Sequence, residues 1–158
     1  MSIQVSDSIP DITINIVQDG VQSINTADFF KSRKVVLFAV PGAFTPTCSA
    51  KHLPGYIEHI MAFTDKNYTV ACLSVNDAFV MSAWAKSQQA PASIHMLADG
   101  NAEFTKALGL ELDATPFGMG IRAKRFALIA DNGVVTHLFL EAPGEFSVSA
   151  AESVLAAI

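Results

Sequence analysis

The chain has 158 residues, 51% of them hydrophobic and 16% charged, with a formal net charge of −5. Those proportions describe a globular chain with an ample core rather than a disordered one, and the acidic balance excludes a general nucleic-acid role, because phosphate binding needs a basic face. The longest apolar run, Val35–Val40, is too short to span a bilayer, so no membrane role is expected. The start "MSIQVSDSIPDI" has no basic region leading into an apolar stretch, so no secretory signal is expected, and two cysteines do not make a disulfide scaffold. The expectation is one domain over residues 1–158, in the cytoplasm, with its thiols reduced.

"DITINIVQDGVQSINT" reads as a hairpin about the Asp19–Gly20 turn signal, and Thr26 is positioned to cap a short helix over Ala27–Lys31. "KVVLFAV" is apolar on both faces, the pattern of a buried central strand. A helix then starts within "TPTCSAKH", with Pro46 tolerated in its first turn, and Pro54–Gly55 are expected to kink it before "YIEHIMAFTDK". "TVACLSV" is a second apolar strand; Asn76 or Asp77 caps the helix "AFVMSAWAKSQQ"; "IHMLAD" is a third strand, followed by the helix "AEFTKALG". After the loop "ELDATPFGMGI" comes a hairpin, "RFALIA" and "VVTHLFLEA" around Asp131–Gly133. "SVSAAESVLAAI" closes the chain as a helix capped by Ser147 or Ser149. The fold class is therefore α/β: a thioredoxin-like order, with a mixed central sheet flanked by helices and an added N-terminal β-hairpin.

The stretch "PGAFTPTCSAKHLPGY" places Cys48 near a helix start, where backbone N–H groups lack partners and favour an anion. A thiol reacts as its thiolate, and a free thiol has a pKa of roughly 8.5. Lowering such a pKa by about two units takes about 2.7 kcal/mol, whereas a helix end supplies only about 0.3–1 kcal/mol. A guanidinium within reach shifts a pKa by roughly one to three units. An arginine is needed, and the chain has three, Arg33, Arg122 and Arg125. Arg33 precedes the first buried strand, at the end away from Cys48; sequence physics does not choose between the other two. Thr45 offers a hydroxyl to sulfur or to a bound oxygen substrate. Pro41 and Phe44 are expected to wall the site, and Pro46 to hold the turn. Such a thiolate is equipped to attack an O–O bond and become a sulfenic acid that a second thiol reduces.

The same stretch resembles the active-site signature of the peroxiredoxins, in particular the type II or peroxiredoxin-5-like subfamily. The likeness continues through "ACLSVNDAFVMSAWAK", "LADGNAEFTKALGLELD" and "RAKRFALIADNGVV", covering most of residues 30–140. It implies a thiol-dependent peroxidase of hydrogen peroxide and organic hydroperoxides in antioxidant defence, commonly a homodimer, with no cofactor. Carried over by resemblance, the peroxidatic cysteine is Cys48, the catalytic threonine Thr45, the proline Pro41, and the activating arginine Arg125. Cys72 resembles the second cysteine of plant and bacterial members, a possible resolving residue. The alternative is a small buried thiol in an apolar strand, in which case glutathione, glutaredoxin or thioredoxin must reduce Cys48.

Other residues receive plainer readings. His52, four residues after Cys48, suggests either a Cys–His hydrolase pair or a supporting role on the same helix. No metal site is expected, since Cys48, His52 and Cys72 lack paired ligand spacing. Lys51 stands where a CxxC motif would have its second cysteine, which excludes a dithiol shuttle. Gly118 and Gly120 follow no strand and form no phosphate loop. Trp84, Phe79 and Met81 are assigned mostly to core, with part of that face left for a dimer contact.

Overall fold

A computed structural model describes all of residues 1–158. In chain order its elements are β1 (Thr13–Val17), β2 (Val21–Asn25), α1 (Thr26–Phe30), β3 (Lys34–Ala39), a π-helical turn (Cys48–His52), α2 (Leu53–Asp65), β4 (Tyr68–Ser74), α3 (Ala78–Ser87), β5 (Ile94–Ala98), α4 (Glu103–Leu108), β6 (Glu111–Asp113), β7 (Ile121–Ala123), β8 (Phe126–Asp131), β9 (Val134–Leu140) and α5 (Ala151–Leu155). Seven strands make one sheet in the order β2-β1-β5-β4-β3-β8-β9. β3 pairs in parallel with β4, and β4 with β5, while β8 runs antiparallel to β3 and the N-terminal hairpin joins antiparallel at β5.

The period of two along β3 decides which side chain serves which core. Val35, Leu37 and Ala39 face a cluster with Phe30 of α1 and Phe104 and Leu108 of α4. Val36, Phe38 and Val40 face the opposite cluster, with Tyr56 and Phe63 of α2, Met81 and Trp84 of α3, and both cysteines. Both faces are covered, so β3 reads as a continuous apolar run.

Local features differ from the sequence reading in four places. Asn25, not Thr26, caps α1 by accepting from the Asp28 N–H; Thr26 is buried and ties Ile12 N–H and the Pro10 carbonyl instead. Pro54 does not kink the helix. It sits in the first turn of an unbroken α2, and the irregularity lies one turn earlier, where Leu53 N–H bonds the Cys48 carbonyl in a π turn. That wider turn accommodates a proline ring which has no N–H to donate and would crowd a tighter one. The last helix has no side-chain cap, because Ser149 is engaged with Glu141. Finally, the segment read as a loop forms a two-stranded ribbon, β6 with β7, too short to show a period of its own.

Candidate active site

β3 ends at Ala39, and Pro41–Thr45 turns the chain from the C-terminal edge of the sheet into the helix carrying Cys48. Phe44 has a φ of 64°, left-handed for a bulky aromatic, a conformation that costs roughly 1–2 kcal/mol. Its neighbours hold it there: Ala43 N–H donates to Asn76 Oδ1 at 2.9 Å, and Thr45 Oγ1–H donates to the Gly42 carbonyl at 2.6 Å. Phe44 therefore points outward and is 54% exposed, so it does not wall the site as expected. With its proton on Gly42, the Thr45 hydroxyl presents lone pairs rather than a donor. Thr45 makes no hydrogen bond to sulfur. The Ser49 N–H is bound to the Thr45 carbonyl, whereas the Cys48 N–H has no backbone partner.

Cys48 is fully buried, and Arg125 reaches it from across the sheet. The register sets this up: Ala39 pairs with Phe126, so the residue before β8 emerges beside the Pro41 turn. Arg125 Nη2 donates to Cys48 Sγ at 3.2 Å, and Nη1 donates to His52 Nδ1 at 2.8 Å. His52 is buried too, with its Nε2–H directed to the Ser149 carbonyl at 3.1 Å, which fixes Nδ1 as the acceptor. Burial, reinforced by the Arg125 charge, pushes the imidazole down to about 3, so it is neutral. A neutral orienter leaves the guanidinium charge to the sulfur, where a carboxylate would compete for it. The Phe146 ring lies 5.9 Å from the guanidinium carbon.

The chain matches the Redoxin family over residues 4–155. It is 49% identical to the chloroplastic Peroxiredoxin-2E-2 of Oryza sativa subsp. japonica, over 99% of this chain and 73% of that protein. The chain belongs to the type II peroxiredoxins. Peroxiredoxin-2D of Arabidopsis thaliana is 46% identical over 99% of this chain and 98% of its own length. Among solved structures, reduced Prx3 from Vibrio vulnificus in complex with hydrogen peroxide superposes with a TM-score of 0.93 at 51% identity, covering 98% of this chain and 95% of that one. The protein is accordingly a thiol-dependent peroxidase with an antioxidant function, acting on peroxides and reduced by thiols.

In this peroxiredoxin the remaining residues fall as follows. Arg122 turns away from sulfur: Nε donates to the Met119 carbonyl at 2.9 Å and Nη1 to the Val75 carbonyl at 3.3 Å, behind Gly42. Arg33 lies over Phe29. Cys72 is fully buried in β4, between Phe38 and Met96 in register, and burial pushes its thiol well up, with the Cys48 charge adding to the effect. His52 is not a hydrolase base, since its Nδ1 is taken by Arg125. Pro41, Thr47 and Arg125 line a groove of about 780 Å³ together with Leu112, Phe117 and Lys124. Sequence reasoning missed Glu141 altogether. The signal available was an acid directly after a strand and ahead of a serine-rich turn, which also describes a solvated loop.

Proposed function

We propose that Cys48 is the sulfur that attacks the peroxide. The thiolate bonds to the hydroxyl oxygen of ROOH, the O–O bond breaks, and RO⁻ leaves and takes a proton, giving the alcohol (water when R is hydrogen) and Cys48 sulfenic acid. Arg125 favours the anionic sulfur and orients the peroxide. The Thr45 oxygen accepts from the peroxide O–H, the free Cys48 N–H supports charge on the departing oxygen, and Pro41 screens the pocket. The observation that carries this reading is the 3.2 Å contact between the Arg125 guanidinium and a fully buried sulfur. Cys48→Ser should fold normally and consume no peroxide with dithiothreitol as reductant; turnover in that variant would end the proposal.

Further readings rest on particular features. The groove is far larger than hydrogen peroxide needs, which supports organic hydroperoxides as substrates beside it. An outside thiol, glutathione with glutaredoxin or else thioredoxin, is the proposed reductant, because the protonated, buried Cys72 is a poor nucleophile. A homodimer is proposed on the apolar surface around Phe44 and Phe79, both more than half exposed. The Ala43–Asn76 hydrogen bond brings the Phe44 turn against the start of the helix carrying Phe79. A reducing, cytoplasmic setting fits two unpaired cysteines.

A further inference from the structure

Glu141 directly follows β9, and its backbone N–H donates to the Arg125 carbonyl at 3.1 Å. Its side chain does not pair with that arginine. Instead Oε2 gathers three donors from the next turn of chain: Ser147 N–H at 2.7 Å, Ser149 N–H at 2.9 Å and Ser149 Oγ–H at 2.7 Å. Burial opposes the charged form, but bonds from Ser149, Ser147 and Val148 outweigh it and hold the carboxyl below its ordinary range. The other oxygen, Oε1, is buried without a partner.

What this carboxylate immobilises is the segment that supports the arginine. The Ser149 carbonyl receives both His52 Nε2–H and Tyr56 O–H, the latter at 2.8 Å. Phe146, just before the clamped residues, meets the His52 ring edge-on at 5.1 Å and lies under the guanidinium. We infer that Glu141 is a positioning residue for the peroxide reaction: its carboxylate clamps Ser147 and Ser149, the Ser149 carbonyl holds His52 in one tautomer, and His52 aims Arg125 at Cys48. The inference rests on the proposed pairing of Arg125 with Cys48. The clamp works by accepting hydrogen bonds, which the negative charge of the carboxylate strengthens. A glutamine would keep a neutral and weaker acceptor for the three donors and bury its amide N–H groups without a partner where Oε1 has none.

The test is the second-order rate of Cys48 oxidation by hydrogen peroxide, read by stopped flow in folded variants. Glu141→Ala should slow it about tenfold to a hundredfold, the scale on which small misplacements act, while Glu141→Gln, which keeps one acceptor oxygen, should slow it by less than about tenfold. On an Arg125→Ala background, Glu141→Ala should change nothing further, because the two act through one contact. Should Glu141→Ala fail to fold, Glu141→Asp, which keeps the charge but draws the oxygens back, takes its place in the same cycle. A folded Glu141→Ala or Glu141→Asp protein at the native rate would overturn the inference. So would Glu141→Gln as slow as Glu141→Ala, or a loss that multiplies on top of Arg125→Ala. An Arg125→Ala protein that reacts normally would instead defeat the underlying assignment of Arg125.

Discussion

Arg125 bridges Cys48 and His52 with the two ends of one guanidinium, 3.2 Å from sulfur on one side and 2.8 Å from an imidazole nitrogen on the other. The planar fork is what lets a single side chain do both; a lysine ammonium is a point charge and has no fixed geometry. Arg125→Lys should therefore lose more than a conserved charge suggests. A charge-assisted hydrogen bond of about 1.5–3 kcal/mol converts to a slowing of roughly tenfold to a hundredfold in Cys48 oxidation. The buried Trp84 indole donates to Ser49, next to Cys48, and gives a fluorescence signal for the measurement.

His52 is neutral in the folded protein down to about 3, whereas a histidine in the unfolded chain takes up its proton near its ordinary 6.5. Below 6.5 the unfolded state binds a proton that the native state refuses, so acid favours unfolding; above 6.5 the group contributes nothing. The expected loss is about 2 kcal/mol near pH 5 and grows until the folded imidazole itself titrates. Glu141 adds its own loss only lower, below the ordinary glutamate range, because its folded pKa is depressed. Denaturant melts should show a steeper decline below 6.5 in the native protein than in His52→Asn, where His95, also lowered by burial and by Arg33, still contributes a loss.

Thr45→Val removes a hydroxyl whose proton is already committed to the Gly42 carbonyl. Stability should fall by about 1 kcal/mol for the lost hydrogen bond, and peroxide oxidation by about tenfold or more if the lone pairs serve the substrate. Thr45→Ser should retain both. A Thr45→Val enzyme that is less stable yet equally fast would confine Thr45 to holding the turn.

Cys72→Ala should leave turnover with glutathione and glutaredoxin within about twofold, at a cost of about 1–2 kcal/mol for the vacated core volume. Mass analysis of the native protein after one equivalent of peroxide, with a sulfenic-acid trap present, should find the adduct on Cys48. A Cys48–Cys72 disulfide under those conditions would show that Cys72 resolves the sulfenic acid.

Phe79 is 77% exposed on α3, while Trp84 and Met81 on the same helix are fully buried. Phe79→Lys should leave the core intact and shift the protein from dimer to monomer in sedimentation velocity. An unchanged species, dimer or monomer, would remove this face from the interface.

Much of the fold was legible in the sequence because local rules governed it. The unbroken apolar run of β3 announced burial on both faces, Asn76–Asp77 announced the start of α3, with Asp77 the residue that caps it, and Asp131–Gly133 announced the last hairpin, each from contacts within a few residues. Where distant groups compete, local rules failed. Thr26 is a fair cap by type, yet it is drawn to the Pro10 carbonyl and the Ile12 N–H, sixteen and fourteen positions away, and Asn25 caps in its stead. Phe44 looked like a wall from its apolar character alone; its left-handed backbone turns it out to solvent.

By itself the sequence determined that a thiol stands at the head of a helix beyond a buried strand, and that helix ends are too weak to activate it unaided. It could not select between Arg122 and Arg125 on physical grounds, since both lie three residues apart in one segment. Only the pairing of β3 with β8 made that selection, carrying Arg125 to Sγ while the short β6–β7 ribbon spends Arg122 on backbone carbonyls. The reason is reach: a charge acts over a few ångströms, and which charge comes within that distance is settled by strand register between residues nearly eighty positions apart.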